Sequence, residues 1–488
     1  MNIQSVKEEI KNTVKIYLTK NRFGDYEVPF ARQRPLLVIG APGIGKTAIV
    51  KQVADEMHLG FVSYTITHHT RQSAIGLPFV KEKTYGDKVY SVTEYTLSEI
   101  VDSVFSAIEQ QNKREGILFI DEINCVSETL APAMLELLQN KKFGPHKIPA
   151  GWVLVAAGNP PEYNKSVKEF DIVTLDRVKK VEAEADPEVW KKYAYDHGVH
   201  AAILYYLGLK PKSLFSVQKT VDGVSFVTPR GWEDLSVAIT MYEKLGLPVT
   251  EELVEEYVQS YEIATEFFRC YLLTDKYNKE YDVAEILAGK TDGANVKKLK
   301  EAPFDEKLAV TEVLSSGVNR LCGAAGTAVA FERAMKPVFS SINMMEKDEA
   351  AEYVKRQMSE ISDDLLRDKE QRDYEAKRET FEALKRIAGG EDVYAAAEAE
   401  YMDAETRRKD KITEARKGVE NAIAFIELAF GKGQEMVALL VGLVSSPLFI
   451  AFLSRNECPV FMEYNRLLLT DRQNKQLLLE IEKLNLDE

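Results

Sequence analysis

The sequence predicts an α/β fold, with a parallel sheet in the first half and an all-helical second half that includes a coiled-coil-like hairpin. Three observations predict it. Short apolar runs, "PLLVIG" from Pro35, "GILFID" from Gly116 and "GWVLVAAG" from Gly151, read as strands covered on both faces, as parallel strands are. An amphipathic stretch follows the first run, with Ile49, Val50, Val53 and Met57 on one helical face. After roughly Asp186 the strand pattern gives way to helical periodicity.

At 488 residues the chain exceeds one ordinary domain and implies two to four. Hydrophobic content of 45% suffices for real cores, and the net charge of -14 argues against a nucleic-acid partner, which needs a concentrated basic face. Cys125, Cys270, Cys322 and Cys458 have no paired spacing and read as reduced, buried thiols. The first residues place Val6, Ile10 and Val14 at helical spacing, an amphipathic helix rather than a signal peptide. The apolar stretch from Met436 to Leu453 only just reaches the ~18 residues of a spanning helix. Ser445-Ser446-Pro447 breaks it, so it reads as two buried helices. No membrane span and a cytoplasmic location are expected.

The first strand leads into Gly40, Ala41, Pro42, Gly43, Ile44, Gly45, Lys46 and Thr47, a match to G-x-x-x-x-G-K-[ST]. Strand, glycine loop and helix start form a nest of backbone N–H groups aimed at phosphate oxygens. There Lys46 would bridge the β- and γ-phosphates and the Thr47 hydroxyl would ligate Mg²⁺. The second run ends in Asp121-Glu122, at the strand end where open α/β sheets bind ligands. Asp121 suits the Mg²⁺ shell, and Glu122 can accept a proton from an attacking water. Asn159 closes the third run, where its amide can orient that water. Arg177 and then Arg230, just inside the start of a helix, follow in order as cations for a γ-phosphate. The ligand expected is ATP with Mg²⁺; no [NT]KxD guanine-reading motif is present.

This order of parts resembles an AAA+ ATPase, and within that superfamily the MoxR-like group, over roughly residues 25–270. The resemblance implies a P-loop AAA+ core with an all-α lid. It makes "GAPGIGKT" Walker A, "LFIDEIN" Walker B, Asn159 sensor 1, Arg177 an arginine finger reaching a neighbouring subunit's nucleotide, and Arg230 sensor 2. The family usually writes the finger as LDRF, whereas Val178 stands here after Leu175-Asp176-Arg177. The stretch "LPFVKEKTYGDKVYSVTEYT" alternates around Gly86-Asp87 and reads as a hairpin. It resembles the clade's helix-2 insertion, and "KKFGPHKIPAGW" resembles its pre-sensor hairpin. In ring ATPases such hairpins face the pore or a partner; the plainer reading is a sheet edge. His68-His69 and His197/His200 lack a Cys or carboxylate quartet of zinc spacing and are not read as metal ligands.

In the second half, Val354, Met358, Ile361 and Leu365 are spaced 4, 3, 4, and Ile412, Ala415, Val419, Ala422, Ile426 and Ala429 alternate 3 and 4. Both are coiled-coil seams, and they read as an antiparallel hairpin turning at Gly389-Gly390. A solvated strut and an interaction arm are equally good readings of its charged faces. The expected domains are an AAA+ core (1–185), a helical lid (186–275), a helical connector (276–345), the charged hairpin (346–430) and C-terminal helices (431–488). The function expected is hydrolysis of MgATP in a ring, a hexamer by resemblance, to remodel or mature a partner protein. That partner is often a von Willebrand factor A domain protein in the family. The alternatives are a nucleic-acid motor and a nucleotide-gated switch.

Overall fold

The computed structural model describes residues 1–68, 75–163, 167, 170–220, 223–367 and 373–468. His69, part of the charged stretch after Arg367 and the end of the C-terminal region lie outside them. The chain divides into two compact units. The first comprises Met1–Trp190, Lys212–Leu235 and Glu256–Ser260, and the second comprises Lys191–Pro211, Ser236–Glu255 and the described residues from Tyr261 onward.

The first unit is built on five parallel strands: β1 (Leu36–Gly40), β2 (Gly60–Thr65), β3 (Gly116–Asp121), β4 (Trp152–Gly158) and β5 (Lys179–Ala183). Their order across the sheet is β2-β3-β4-β1-β5. Leu36 of β1 aligns with Val155 of β4 on one side and Lys179 of β5 on the other, while Thr65 of β2 aligns with Asp121 of β3. The three inner strands β1, β3 and β4 are nearly continuous apolar runs because both of their faces are covered, whereas the edge strands β2 and β5 carry polar residues. One face packs Val38, Phe119, Val153 and Val155 against α1 (Ile3–Leu18) and α2 (Lys46–Glu56), through Val6, Ile10, Val14, Val50 and Val53. The other packs Leu37, Leu118, Ile120 and Leu154 against α3 (Glu99–Gln111) and α4 (Ala131–Asn140), through Val101, Val104, Met134 and Leu137. Each such aliphatic side chain contributes about 1.5–3 kcal/mol on burial. Parallel strands end on the same edge, so the carboxyl ends of β1, β2, β3 and β4 gather their following residues into one crevice.

Two short hairpins, Pro78–Tyr85 with Lys88–Tyr95 and Lys142–Phe143 with His146–Lys147, stand outside the main sheet. A third, Ser216–Thr220 with Gly223–Val227, leads into α5 (Pro229–Leu245). The start of α5 is anchored by Trp232, fully buried, whose indole N–H donates to Ser213 O at 3.0 Å.

The second unit is helical. Its main elements are α6 (Tyr261–Tyr281), α7 (Phe304–Ile342), α8 (Lys347–Arg367), α9 (Tyr374–Gly389), α10 (Val393–Phe430), α11 (Gln434–Val444), α12 (Pro447–Arg455) and α13 (Pro459–Leu468). A turn does fall at Gly389-Gly390, between α9 and α10. The two seams, however, do not face each other. Val354, Met358 and Ile361 of α8 pack with α9 and the end of α7. Ala415, Val419, Ala422 and Ile426 of α10 pack instead on Val310, Leu314 and Val318 near the start of α7. The early part of α10 (Val393, Ala397, Ala404) meets Phe331, Met335 and Val338 late in α7, so α7 and α10 run antiparallel. The physical reason is length. A helix of 38 residues cannot be covered by the 16 residues of α9, and the 39-residue α7 supplies the rest.

The apolar stretch after Gly433 forms α11 and α12, bent by 83° with Pro447 at the first position of α12. Leu439, Leu440, Leu443, Phe449 and Phe452 of the pair are buried in the unit's main cluster. No single helix among the described residues is long and apolar enough to cross a membrane. All four cysteines are free thiols. His200 caps the helix Ala201–Leu209, and His197 stacks on Tyr193 at 3.9 Å.

Candidate active site

The loop after β1 turns on two glycines in left-handed backbone, Gly43 (φ +74°) and Gly45 (φ +92°), a conformation that L side chains rarely adopt. Close approach adds a second constraint. A Cβ on Gly40 would lie 2.6 Å from Ala183 O, and one on Gly43 would lie 2.9 Å from Thr228. The loop is therefore held between β5 and the residues that open α5. The Arg230 N–H donates to Gly43 O at 3.2 Å, while the Arg230 side chain is exposed.

Lys46, at the start of α2, is 8% exposed. Its ammonium donates to Gly40 O and Ala41 O at 2.8 Å each, and to Asn159 Oδ1 at 2.9 Å. Burial pulls its pKa down to about 8; Arg230 adds to the fall, and Asp121 and Glu122 oppose it. Thr47 donates from Oγ1 to Asp121 Oδ2 at 2.8 Å. Asp121 also accepts the N–H of Glu122, at 2.9 Å on Oδ1. Glu122 itself sits at φ +55°, a costly position for a non-glycine residue.

Three contributors escape the sequence reading. Thr67, in the 3-10 turn after β2, donates from Oγ1 to Glu122 Oε2 at 2.7 Å. Asn124, 5% exposed, accepts the Asn159 N–H at 3.3 Å and donates to Asn159 O at 2.8 Å, fixing the loop that carries Asn159. It fits only because Gly158 is a glycine; a Cβ there would come within 2.5 Å of Asn124 Oδ1. Thr228 braces Gly43. Apart from a polar residue just past a strand, nothing local marks these positions, because their partners depend on which strands are neighbours.

The structure thus brings Lys46, Thr47, Asp121, Glu122 and Asn159 together, with Arg230 close enough to act on Lys46 electrostatically. Arg177 is placed differently. It is exposed after the short helix Ile172–Leu175, hydrogen-bonded to Gln139 on α4 and near Asp171. Val178, where the resemblance leads one to expect Phe, is buried beside Leu175 in the sheet's core and keeps the turn anchored.

Residues 36–168 match the model of the ATPase family associated with various cellular activities (AAA). This part of the chain is similar to an AAA ATPase domain. A curated relative is the Lon protease of Leptospira interrogans serogroup Icterohaemorrhagiae serovar copenhageni (strain Fiocruz L1-130). It is 22% identical over 279 residues, 51% of this chain and 30% of that protein, so the chain spans less than a third of the relative's length. The matched family region runs from β1 past β4 and ends before Arg177 and Arg230.

The residues of the AAA domain fit a magnesium nucleotide. The loop admits no side chain at Gly40 or Gly43 and has open space beside Gly45, and Lys46 directs its ammonium at oxygen acceptors of the same loop, the atom type a phosphate presents. Thr47 and Asp121 supply hard oxygen donors 2.8 Å apart, the donor type Mg²⁺ takes. A pH dependence follows from Lys46. A phosphate favours its charged form, so nucleotide binding takes up a proton wherever the free protein has lost it. Affinity for ATP is expected to be full below about pH 8 and to fall by up to about tenfold per pH unit above it. Titration calorimetry at two pH values, in buffers of differing ionisation enthalpy, reads both the affinity and the proton uptake.

Proposed function

We propose that this chain is a MoxR-like AAA+ ATPase that hydrolyses MgATP in a ring, a hexamer by resemblance, to remodel or mature a partner protein. The observation that carries the reading is the convergence of Glu122 with the Thr47–Asp121 pair and Lys46 at the strand ends. Binding alone needs the loop, Lys46 and Thr47. A carboxylate one residue beyond Asp121, forced into left-handed backbone, adds the proton acceptor that hydrolysis needs.

In this reading Gly40 to Thr47 cradle the phosphates, Lys46 neutralises them, and Thr47 and Asp121 hold Mg²⁺, which supplies charge stabilisation when bound. Glu122 takes a proton from the attacking water, and Asn159, held by Asn124, orients that water. Arg230 stabilises charge from the same chain. Arg177, exposed and hydrogen-bonded to Gln139, is offered to a neighbouring subunit. The helices from about residue 186 act as the lid, with the connector, charged hairpin and C-terminal helices beyond. The location is cytoplasmic, and the partner protein carries a von Willebrand factor A domain.

The experiment is gel filtration with light scattering on the Glu122→Gln chain, with and without ATP and Mg²⁺. Assembly into a closed oligomer on adding nucleotide is the expected result. A monomer at every concentration and nucleotide state contradicts the ring.

A further inference from the structure

The hairpin Pro78–Tyr85 with Lys88–Tyr95 has a sidedness that its register exposes. Residues directly opposite across an antiparallel pair share a face. Phe79 pairs with Glu94, Lys81 with Val92, Lys83 with Tyr90 and Tyr85 with Lys88, so all of these lie on one side. The contacts agree, since the Tyr85 and Tyr90 rings lie 6.1 Å apart, and Lys81 and Lys83 both reach Glu94. This face therefore presents three lysines and three aromatic rings against a single carboxylate, in a chain whose net charge is -14. The other face carries Glu82 as its one charged residue.

Among the described residues neither face is covered. All sixteen residues of the two strands are exposed or only partly buried, with Val80 at 73% and Tyr85 at 60%. Among the described residues the hairpin pairs with no further strand, so both of its outer edges present backbone groups. An isolated pair of strands gains nothing from aromatic side chains held in water. An edge of free N–H and C=O groups is a template for another polypeptide strand, which a nucleic acid cannot supply. A strand added along Pro78–Tyr85 would project alternate side chains onto the face of Lys81 and Lys83.

We infer that the lysine-aromatic face and the Pro78–Tyr85 edge of this hairpin bind an extended polypeptide segment with acidic residues at alternate positions. The inference rests on the remodelling reading and narrows it, by giving the chemistry of the segment engaged. Glu94 is no obstacle, because exposed ion pairs are weak and the lysines keep donors to spare. Carboxylates two residues apart on the incoming strand would meet the lysines, with apolar side chains between them on the other face beside Val80 and Thr84.

The test uses the full chain and a short fluorescein-labelled peptide of alternating glutamate and valine, read by fluorescence anisotropy at low and high salt. The peptide is expected to bind, more weakly at high salt. Reversing both charges in Lys81→Glu/Lys83→Glu should weaken binding roughly tenfold, the scale of two exposed ion pairs made repulsive. Glu82→Lys, on the opposite face, should leave binding as it was and shows that a charge change in the hairpin is not itself disruptive. Equal binding of a lysine-valine peptide, equal losses from both faces, or binding of oligothymidylate but not of the peptide would each overturn the assignment. ATP turnover measured on the same wild-type sample separates the two claims. Turnover without peptide binding sinks only the docking face, whereas peptide binding without turnover sinks the ATPase reading.

Discussion

Glu122→Gln is expected to bind ATP with near wild-type affinity and to lose hydrolysis by about 10²–10⁴-fold, the contribution of a positioned general base. The binding groups stay intact, because Lys46 keeps its bond to Asn159 at 2.9 Å and Thr47 keeps its bond to Asp121 at 2.8 Å. Glutamine has the same shape, retains the left-handed backbone enforced at this position, and keeps an oxygen for the Thr67 hydroxyl. What it lacks is a site for the water's proton. Phosphate release under single-turnover conditions reads the loss, and a fluorescent ATP analogue reads the affinity. A variant that hydrolyses at the wild-type rate would move the proton acceptor elsewhere. A variant that no longer binds nucleotide would make Glu122 part of the binding surface instead.

The Arg177→Ala change is expected to cost about 10³–10⁵ in turnover while sparing nucleotide affinity, on the scale of arginine fingers supplied in trans. The expectation comes from placement. Arg177 is exposed, and its guanidinium donates to the neutral Gln139 side chain; among the described residues it makes no hydrogen bond to Lys46, Asp121 or Glu122 of its own chain. Removing a side chain so exposed should leave folding stability within about 0.5 kcal/mol, so a turnover loss cannot be blamed on unfolding. Arg177→Lys is expected to stay impaired, because an ammonium does not reproduce the planar fork of a guanidinium. Thermal melting of both variants beside their kinetics makes the distinction.

The glycine loop, Lys46, Thr47, Asp121 and Glu122 were legible because each is fixed by the chain immediately around it: a buried strand, a turn, and a helix start. Val38 and Phe119 show the same locality, being apolar for the sheet whatever its strand order. Thr67 was not legible. Its meaning depends on β2 lying beside β3, so that Thr65 aligns with Asp121 and Thr67 reaches Glu122 two residues on. Asn124 is the same case one strand over, since its partner Asn159 becomes a neighbour only once β4 lies beside β3. In the helical half the two seams were legible as seams but not as a pairing. Periodicity gives each helix a buried face without saying which helix covers it, and α7, interrupted by Pro337 and rich in small residues, announces no seam of its own.

The measurement that tests the account most directly is ATP hydrolysis by a mixture of the Arg177→Ala and Glu122→Gln chains. Each alone should be nearly inactive. If Glu122 acts within its own subunit and Arg177 on a neighbour's nucleotide, mixed assemblies contain sites with an intact Glu122 from one chain and an intact Arg177 from the next. Turnover should then reappear on mixing, in proportion to assembly. A mixture as inactive as its two components would contradict the account, leaving a site that works, if it works at all, within a single chain.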